Sequence, residues 1–193
     1  MDNDYKYYLQ LVNKQYPWQI NNGSKKMVRV PYTDKEIYLD AVVVEHLIQL
    51  IETIQLQEKI EIVDGYRTID EQKELWEFSL KDRGKRYTHD YVAYPGCSEH
   101  HTGLALDIGL KKTAHDIIAP KFNGEEAKKF LEHMKDYGFI LRYPPNKKKV
   151  TGIAYEPWHF RYVGVPHSQI ITQQAWTLEE YIAFLHTVGE KVS

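Results

Sequence analysis

The sequence predicts an α+β fold: one domain over residues 1–193 in which a small, mainly antiparallel sheet packs against helices. Three observations support this. Short alternating segments are interspersed with amphipathic helical patterns, no internal repeat or low-complexity tract interrupts them, and the length suits a single hydrophobic core.

Along the chain, Tyr5 to Asn13 is expected to form a short helix stopped by the Tyr16-Pro17 step, with a polar loop at Asn21-Asn22-Gly23-Ser24. From Leu39 to Gln57 apolar residues recur at Val43, Leu47, Leu50, Ile51 and Ile54, the period of a long helix with one buried face. Ile60 to Asp64 alternates as a strand. Gly65-Tyr66-Arg67 then leads into a helix opened by a Thr68/Glu71 capping box, with Leu75, Trp76 and Leu80 as its buried stripe. Gly84 to Gly96 reads as a long loop of functional type. Gly103 to Leu110 alternates again, with Leu104, Leu106 and Ile108 on the core face and Asp107 on the other. Glu125 to Tyr137 is an amphipathic helix with Gly138 as its C-cap. Phe139 to Arg142 and Phe160 to Val163 are further strands, and Thr177-x-x-Glu180 caps a last helix.

Composition narrows the function. A formal charge of -2 gives no electrostatic reason to expect nucleic acid as a partner. The polar, charged Met1 to Tyr8 carries neither an export signal nor a membrane anchor, and the single Cys97 excludes an internal disulfide and any CxxC site. Both point to the cytoplasm. The sequence leaves the oligomeric state open, a homodimer included.

Two clusters carry candidate chemistry: Ser98-Glu99-His100-His101-Thr102-Gly103-Leu104-Ala105-Leu106-Asp107 and Tyr155-Glu156-Pro157-Trp158-His159-Phe160. A catalytic zinc takes three protein ligands and keeps a position for water. His100, Asp107 and His159 supply such a set, with His101 as a competitor for the place of His100. A carboxylate in the middle of an apolar strand is costly to bury, and a metal on Asp107 would offset that cost. Glu156, three residues before a ligand, stands where a general base belongs. Pro157 places this segment in a turn or at a helix start, which distinguishes it from the H-E-x-x-H helix of other metalloproteases.

Arg67, at a strand-to-helix junction, reads either as a salt-bridge partner or as a fixed cation over an oxyanion, a role worth about 3–4 kcal/mol where such donors are removed. Gln72 is an exposed amide or a substrate contact. Ser98 is a loop cap or a donor to a substrate carboxylate. Among rival chemistries, a serine peptidase of the S-x-x-K type requires that motif, which does not occur in the chain. A hydrolase using Cys97 competes with the more ordinary reading of a lone Cys as small apolar filler.

At these residues the sequence resembles the metallo-D,D-peptidases of the LAS group, most closely the VanXY-type D,D-dipeptidase/D,D-carboxypeptidases of glycopeptide-resistant enterococci. The resemblance runs from D-G-Y-R-T at Asp64 to Thr68, through G-C-S-E-H and G-L-A-L-D, to Y-G-F-I-L-R-Y-P and Y-E-P-W-H-F-R-Y-V-G. It implies a hedgehog/D,D-peptidase-like fold, zinc on His100, Asp107 and His159, Glu156 as base and proton shuttle, and Arg67 at the transition state. Ser98, Gln72 and Trp158 become substrate contacts by the same comparison. The implied substrates are small peptides: D-Ala-D-Ala and the pentapeptide precursor of peptidoglycan, whose terminal D-Ala is removed while D-Ala-D-Ser ends are spared, which deprives vancomycin of its target. The segments Arg86 to Pro95 and Lys112 to Gly124 are expected to set the balance between the two activities. Alternatives are a carboxypeptidase or dipeptidase alone, or a non-catalytic zinc-binding module of the hedgehog type.

Overall fold

A computed structural model describes residues 3–19, 26–112 and 116–192. The chain opens with helix α1 (Asn3–Tyr8), followed by a two-stranded antiparallel ribbon, β1 (Met27–Arg29) and β2 (Tyr38–Asp40). Helix α2 (Ala41–Thr53) leads to strand β3 (Ile60–Asp64), then α3 (Ile69–Asp82) and α4 (Lys85–Tyr91). A 3-10 turn, Glu99–Thr102, precedes strand β4 (Ala105–Leu110), and α5 (Gly124–His133) precedes β5 (Phe139–Leu141). The short α6 (Lys148–Thr151), strand β6 (His159–Tyr162), α7 (His167–Gln173) and α8 (Leu178–Val192) complete the order. The main sheet is β3-β4-β6-β5, antiparallel at every pairing, as the sequence predicts.

Helix α2 buries Val43, Val44, Leu47, Leu50 and Ile51 in the principal core, which also takes in Leu104, Leu106 and Ile108 of the β4 segment and Phe130, Phe139 and Phe160. A smaller cluster of Ile140, Val163, Ile171, Leu178 and Tyr181 seats α7 and α8. Gly138 is irreplaceable at the end of the α5 segment: its φ is 88°, and an added Cβ would come within 2.5 Å of the Tyr162 ring.

The differences from expectation have local causes. The helix expected over Leu39 to Gln57 starts at Ala41, because Tyr38–Asp40 pairs with β1 and the Asp40 side chain accepts from Val42 N–H at 2.9 Å as its cap. The first helix stops at Tyr8 rather than Asn13, and the helix expected over Glu125 to Tyr137 ends in a 3-10 turn, Met134–Tyr137. Gly84 to Gly96 holds α4 where a loop is expected. That short helix is secured on α3 by the buried Ser79–Thr88 hydroxyl pair at 2.8 Å and the edge contact of Trp76 with His89. Consequently α3 buries Gln72, Trp76 and Ser79, whereas Leu80 is exposed. The polar loop at Asn21 to Ser24 lies outside the described residues. Among those residues, no helix is long and apolar enough to cross a membrane.

Candidate active site

Strand register builds the centre of the site. Asp107 on β4 stands opposite His159 on β6 and opposite Asp64 on β3. Residues paired in this way project to one face with Cβ atoms about 5 Å apart. A register shift between Ile62 and Asp64 aligns Asp64, rather than Val63, with Asp107. His100 arrives from the 3-10 turn, whose start is capped by the Ser98 hydroxyl accepting from His100 N–H at 3.4 Å. Gly103 ends the turn at φ 71°.

The donor atoms of His100, Asp107 and His159 all lie within 4.8 Å of one another. His100 Nε2 is 3.6 Å from Asp107 Oδ2, and His159 Nδ1 is 3.0 Å from Asp107 Oδ1. All three side chains are buried. His100 Nδ1 sits 2.6 Å from the Gly65 carbonyl; donating its proton there leaves the Nε2 lone pair turned inward. His159 presents Nδ1 to the cluster and turns Nε2 toward Glu99 Oε2 at 3.9 Å. Asp107 Oδ1 is buried without a hydrogen-bond partner. Two imidazole nitrogens and an orphaned carboxylate oxygen converging in a buried space form a donor set that fits a metal ion.

Charge separates the two imidazoles. Burial, reinforced by the Arg67 cation, lowers His100 to about 4, so it is neutral and available as a ligand. At His159 burial works in the same direction, but the Asp107 carboxylate outweighs it and raises the group to about 10. Without a metal His159 therefore carries a proton that a bound cation would displace. Burial, with Asp107 beside it, pushes Glu156 well above the ordinary carboxylate range. Its Oε2 is 3.7 Å from His159 Nδ1. Glu156 reaches this place on a turn, with Pro157 at the second position and His159 N–H pointing back at the Glu156 carbonyl at 3.4 Å.

Arg67 is a salt-bridge partner, as the first of its sequence readings has it, ion-paired with Asp64, and it also lines the same cavity as the His and Asp cluster. Its Nη1 donates to Gln72 Oε1 at 2.5 Å, and Gln72 Nε2 donates to the Ala93 carbonyl at 2.8 Å. Gln72 is thus fully buried rather than an exposed amide, and it holds Arg67 in place. Ser98 is the cap its local sequence suggests and also reaches the cavity wall, as does the buried Trp158. His101 is excluded from the cluster. Its Nδ1 lies 2.7 Å from the Arg67 carbonyl and its Nε2 accepts from Gly96 N–H at 3.2 Å, so both nitrogens are engaged elsewhere. Cys97 lines a neighbouring groove instead of this cavity, and burial raises its thiol, the wrong direction for a nucleophile.

The cavity is narrow, about 40 Å³, and both segments expected to close it contribute walls: Tyr91 and Val92 from α4 and its C-cap, Ile117 and Ile118 from the other. Asp116 fixes the second wall by accepting from Ile118 and Ala119 N–H and pairing with Arg83 at 2.9 Å. Residues 113–115 of that segment lie outside the described residues.

Sequence reasoning missed Glu99. Its Oε1 accepts from Arg142 Nε and Arg161 Nη1, each at 2.8 Å, and Arg142 also grips Glu179 of α8 at 2.9 and 2.6 Å. The available signal was an arginine in each of two apolar strand segments, I-L-R-Y and H-F-R-Y, both requiring a buried anion.

Residues 36–165 match the VanY family model, described as D-alanyl-D-alanine carboxypeptidase. The chain is 51% identical over 179 residues to the bifunctional D-Ala-D-Ala dipeptidase and D-Ala-D-Ala carboxypeptidase VanXYC of Enterococcus gallinarum, covering 92% of this chain and 94% of that protein. It superposes on the vancomycin-resistance D,D-dipeptidase VanXYg, solved with a D-Ala-D-Ala phosphinate analog, with a TM-score of 0.86 and 41% identity over 95% of this chain and 74% of the other. A mutant of the D,D-pentapeptidase VanY from a VanB-type resistance cassette, solved with Zn(II), matches with a TM-score of 0.78 and 30% identity over 91% of this chain and 99% of the other. The chain belongs to the VanY family of D-alanyl-D-alanine carboxypeptidases.

Proposed function

We propose that residues 1–193 form one zinc-dependent D,D-peptidase domain. It hydrolyses the D-Ala-D-Ala dipeptide and the C-terminal D-Ala of peptidoglycan pentapeptide precursors, and so confers resistance to glycopeptides such as vancomycin. The observation that carries this reading is the gathering of His100, Asp107 and His159 with the spare carboxylate of Glu156 and the cation of Arg67 around one cavity. A metal-binding module without catalysis has no use for those last two groups.

His100, Asp107 and His159 would hold the zinc, which supplies Lewis acidity and lowers the pKa of a coordinated water to about 7. Glu156 takes a proton from the attacking water and returns it to the nitrogen of the departing D-alanine. Burial helps Glu156 keep the proton until the departing nitrogen takes it, while a cation held beside it would favour the ionised form that must accept that proton first. Arg67, kept from swinging away by Asp64 and Gln72, offers its charge to the carbonyl oxygen as it becomes anionic. Trp158, Ser98 and Gln72 form the wall against which the dipeptide lies. A cytoplasmic site of action accords with a single, unpaired cysteine.

The decisive experiment compares D-Ala-D-Ala, D-Ala-D-Ser and a pentapeptide precursor on zinc-loaded protein, with and without chelator. Chelation should abolish turnover of the two D-Ala-D-Ala-ended substrates and zinc should restore it, with D-Ala-D-Ser spared. Glu156→Ala should retain zinc while kcat falls by about 10²–10⁴. Wild-type turnover by that variant would sink the mechanism.

A further inference from the structure

Beside the catalytic cavity lies a larger groove of about 220 Å³, walled by Val12 to Gln15, by Tyr94 and Cys97, and by Lys149 to Gly152. Ala93, Tyr143 and Ile153 line both spaces, so the groove runs up to the catalytic cavity. We infer that this groove receives the residues that precede D-Ala-D-Ala in a longer peptide, and that Lys14 and Lys149 select an acidic residue there. The inference rests on the peptidase reading above and names the substrate chemistry that reading leaves unspecified.

Three observations carry it. A carboxypeptidase substrate extends beyond the dipeptide only toward its N-terminus, and the groove is a larger space that shares its wall with the catalytic cavity. Next, the groove is one-sided in charge. No Asp or Glu among the described residues lines it, although the chain as a whole is at -2. In the run Lys147-Lys148-Lys149 the first two are neutralised, by Glu180 at 2.8 Å and Asp90 at 2.5 Å, whereas Lys149 at the groove has no ion-pair partner among the described residues. Lys14, which lines the groove from the N-terminal segment, is likewise exposed and unpaired among them. Finally, both rims are held in shape before any ligand arrives. Asn13 Oδ1 accepts from Gln15 and Tyr16 N–H at 2.9 and 3.1 Å, and the Thr151 hydroxyl donates to the Ile153 carbonyl at 3.0 Å. Exposed Tyr94 and Val150 add apolar surface to the same lining.

The test uses two synthetic tetrapeptides ending in D-Ala-D-Ala that differ only in having glutamate or glutamine as their first residue. Zinc-loaded wild type should show a kcat/KM roughly three- to tenfold higher for the glutamate peptide, the size expected of two solvent-exposed ion pairs. The preference should shrink in 1 M salt, where charges are screened within about 3 Å. Lys14→Gln with Lys149→Gln should erase it, and Lys14→Glu with Lys149→Glu should reverse it. Calorimetric binding of both peptides to zinc-loaded protein reads the same preference independently of turnover. Absence of any glutamate preference in wild type, or its survival in the double variants, overturns the groove assignment. A glutamate preference in binding without hydrolysis of any D-Ala-D-Ala substrate would instead overturn the peptidase reading and leave the groove standing.

Discussion

The sheet buries charge in two places, with different outcomes. At the Glu99 cluster, two carboxylates, Glu99 and Glu179, meet two guanidiniums, Arg142 and Arg161, and the charges balance within the protein. At the His100, Asp107 and His159 cluster no described Lys or Arg pairs with Asp107; the charge beside it is a displaceable proton on His159, and Asp107 Oδ1 makes no well-formed hydrogen bond. Buried ions are tolerated when they are paired or when they bind metal. The first region answers with pairing and serves stability; the second leaves donors uncommitted and serves a ligand. His159 joins the two, with Nδ1 on one side and Nε2 on the other.

Breaking the balanced region should cost the most. Arg142→Ala leaves Glu99 and Glu179 short of a partner in the interior, and unfolding in urea should show a loss of about 3–5 kcal/mol. In the uncommitted region, Arg67→Ala should leave the melting temperature close to that of wild type but lower kcat by about 10²–10³ on D-Ala-D-Ala. A large stability loss with little kinetic effect would assign Arg67 to the structural region instead.

Glu99→Gln probes the link between the regions. The neutral amide weakens the anion behind His159 Nε2, and metal affinity measured by competition with a chromophoric chelator should fall by about 10–100-fold. Unchanged affinity would confine Glu99 to a structural role.

The smallest effect at neutral pH grows only in acid. Burial alone would raise the Glu99 carboxyl, but Arg142 and Arg161 outweigh it and hold the group far below the usual range. A carboxyl depressed on folding contributes stability that is fully present above its unfolded value of about 4.3 and is lost as pH falls below it toward the folded value. Urea midpoints at pH 7 and pH 5 should therefore agree as far as Glu99 is concerned, and a drop at pH 3 should be smaller in Glu99→Gln than in wild type.

Much of this was legible locally. Alternation put Asp107 on the face opposite Leu104, Leu106 and Ile108, and Thr68 with Glu71 and Thr177 with Glu180 marked two helix starts that carry those caps. These signals survive because a strand's period and a cap's hydrogen bonds are decided by residues a few positions apart. Arg67 was legible as a charge at a junction, but its fixing by Gln72 was not, since the amide's burial depends on α4 packing over α3. Helix α4 itself is not legible in the sequence, because a seven-residue helix depends on tertiary contacts rather than propensity.

The sequence by itself determined which chemistry the chain carries: two imidazoles, a mid-strand carboxylate, a spare glutamate and an arginine beside a helix start. It also determined the strands and caps that present them. Only the tertiary structure decided which neighbour of the His100-His101 pair turns inward, why Asp64 faces Asp107, and that Glu99 stands behind His159. Those outcomes depend on sheet register, on a shift within β3, and on contacts between residues as far apart as Glu99 and Arg161. Such contacts are settled when the whole core closes, because only then does a buried charge have to find its partner.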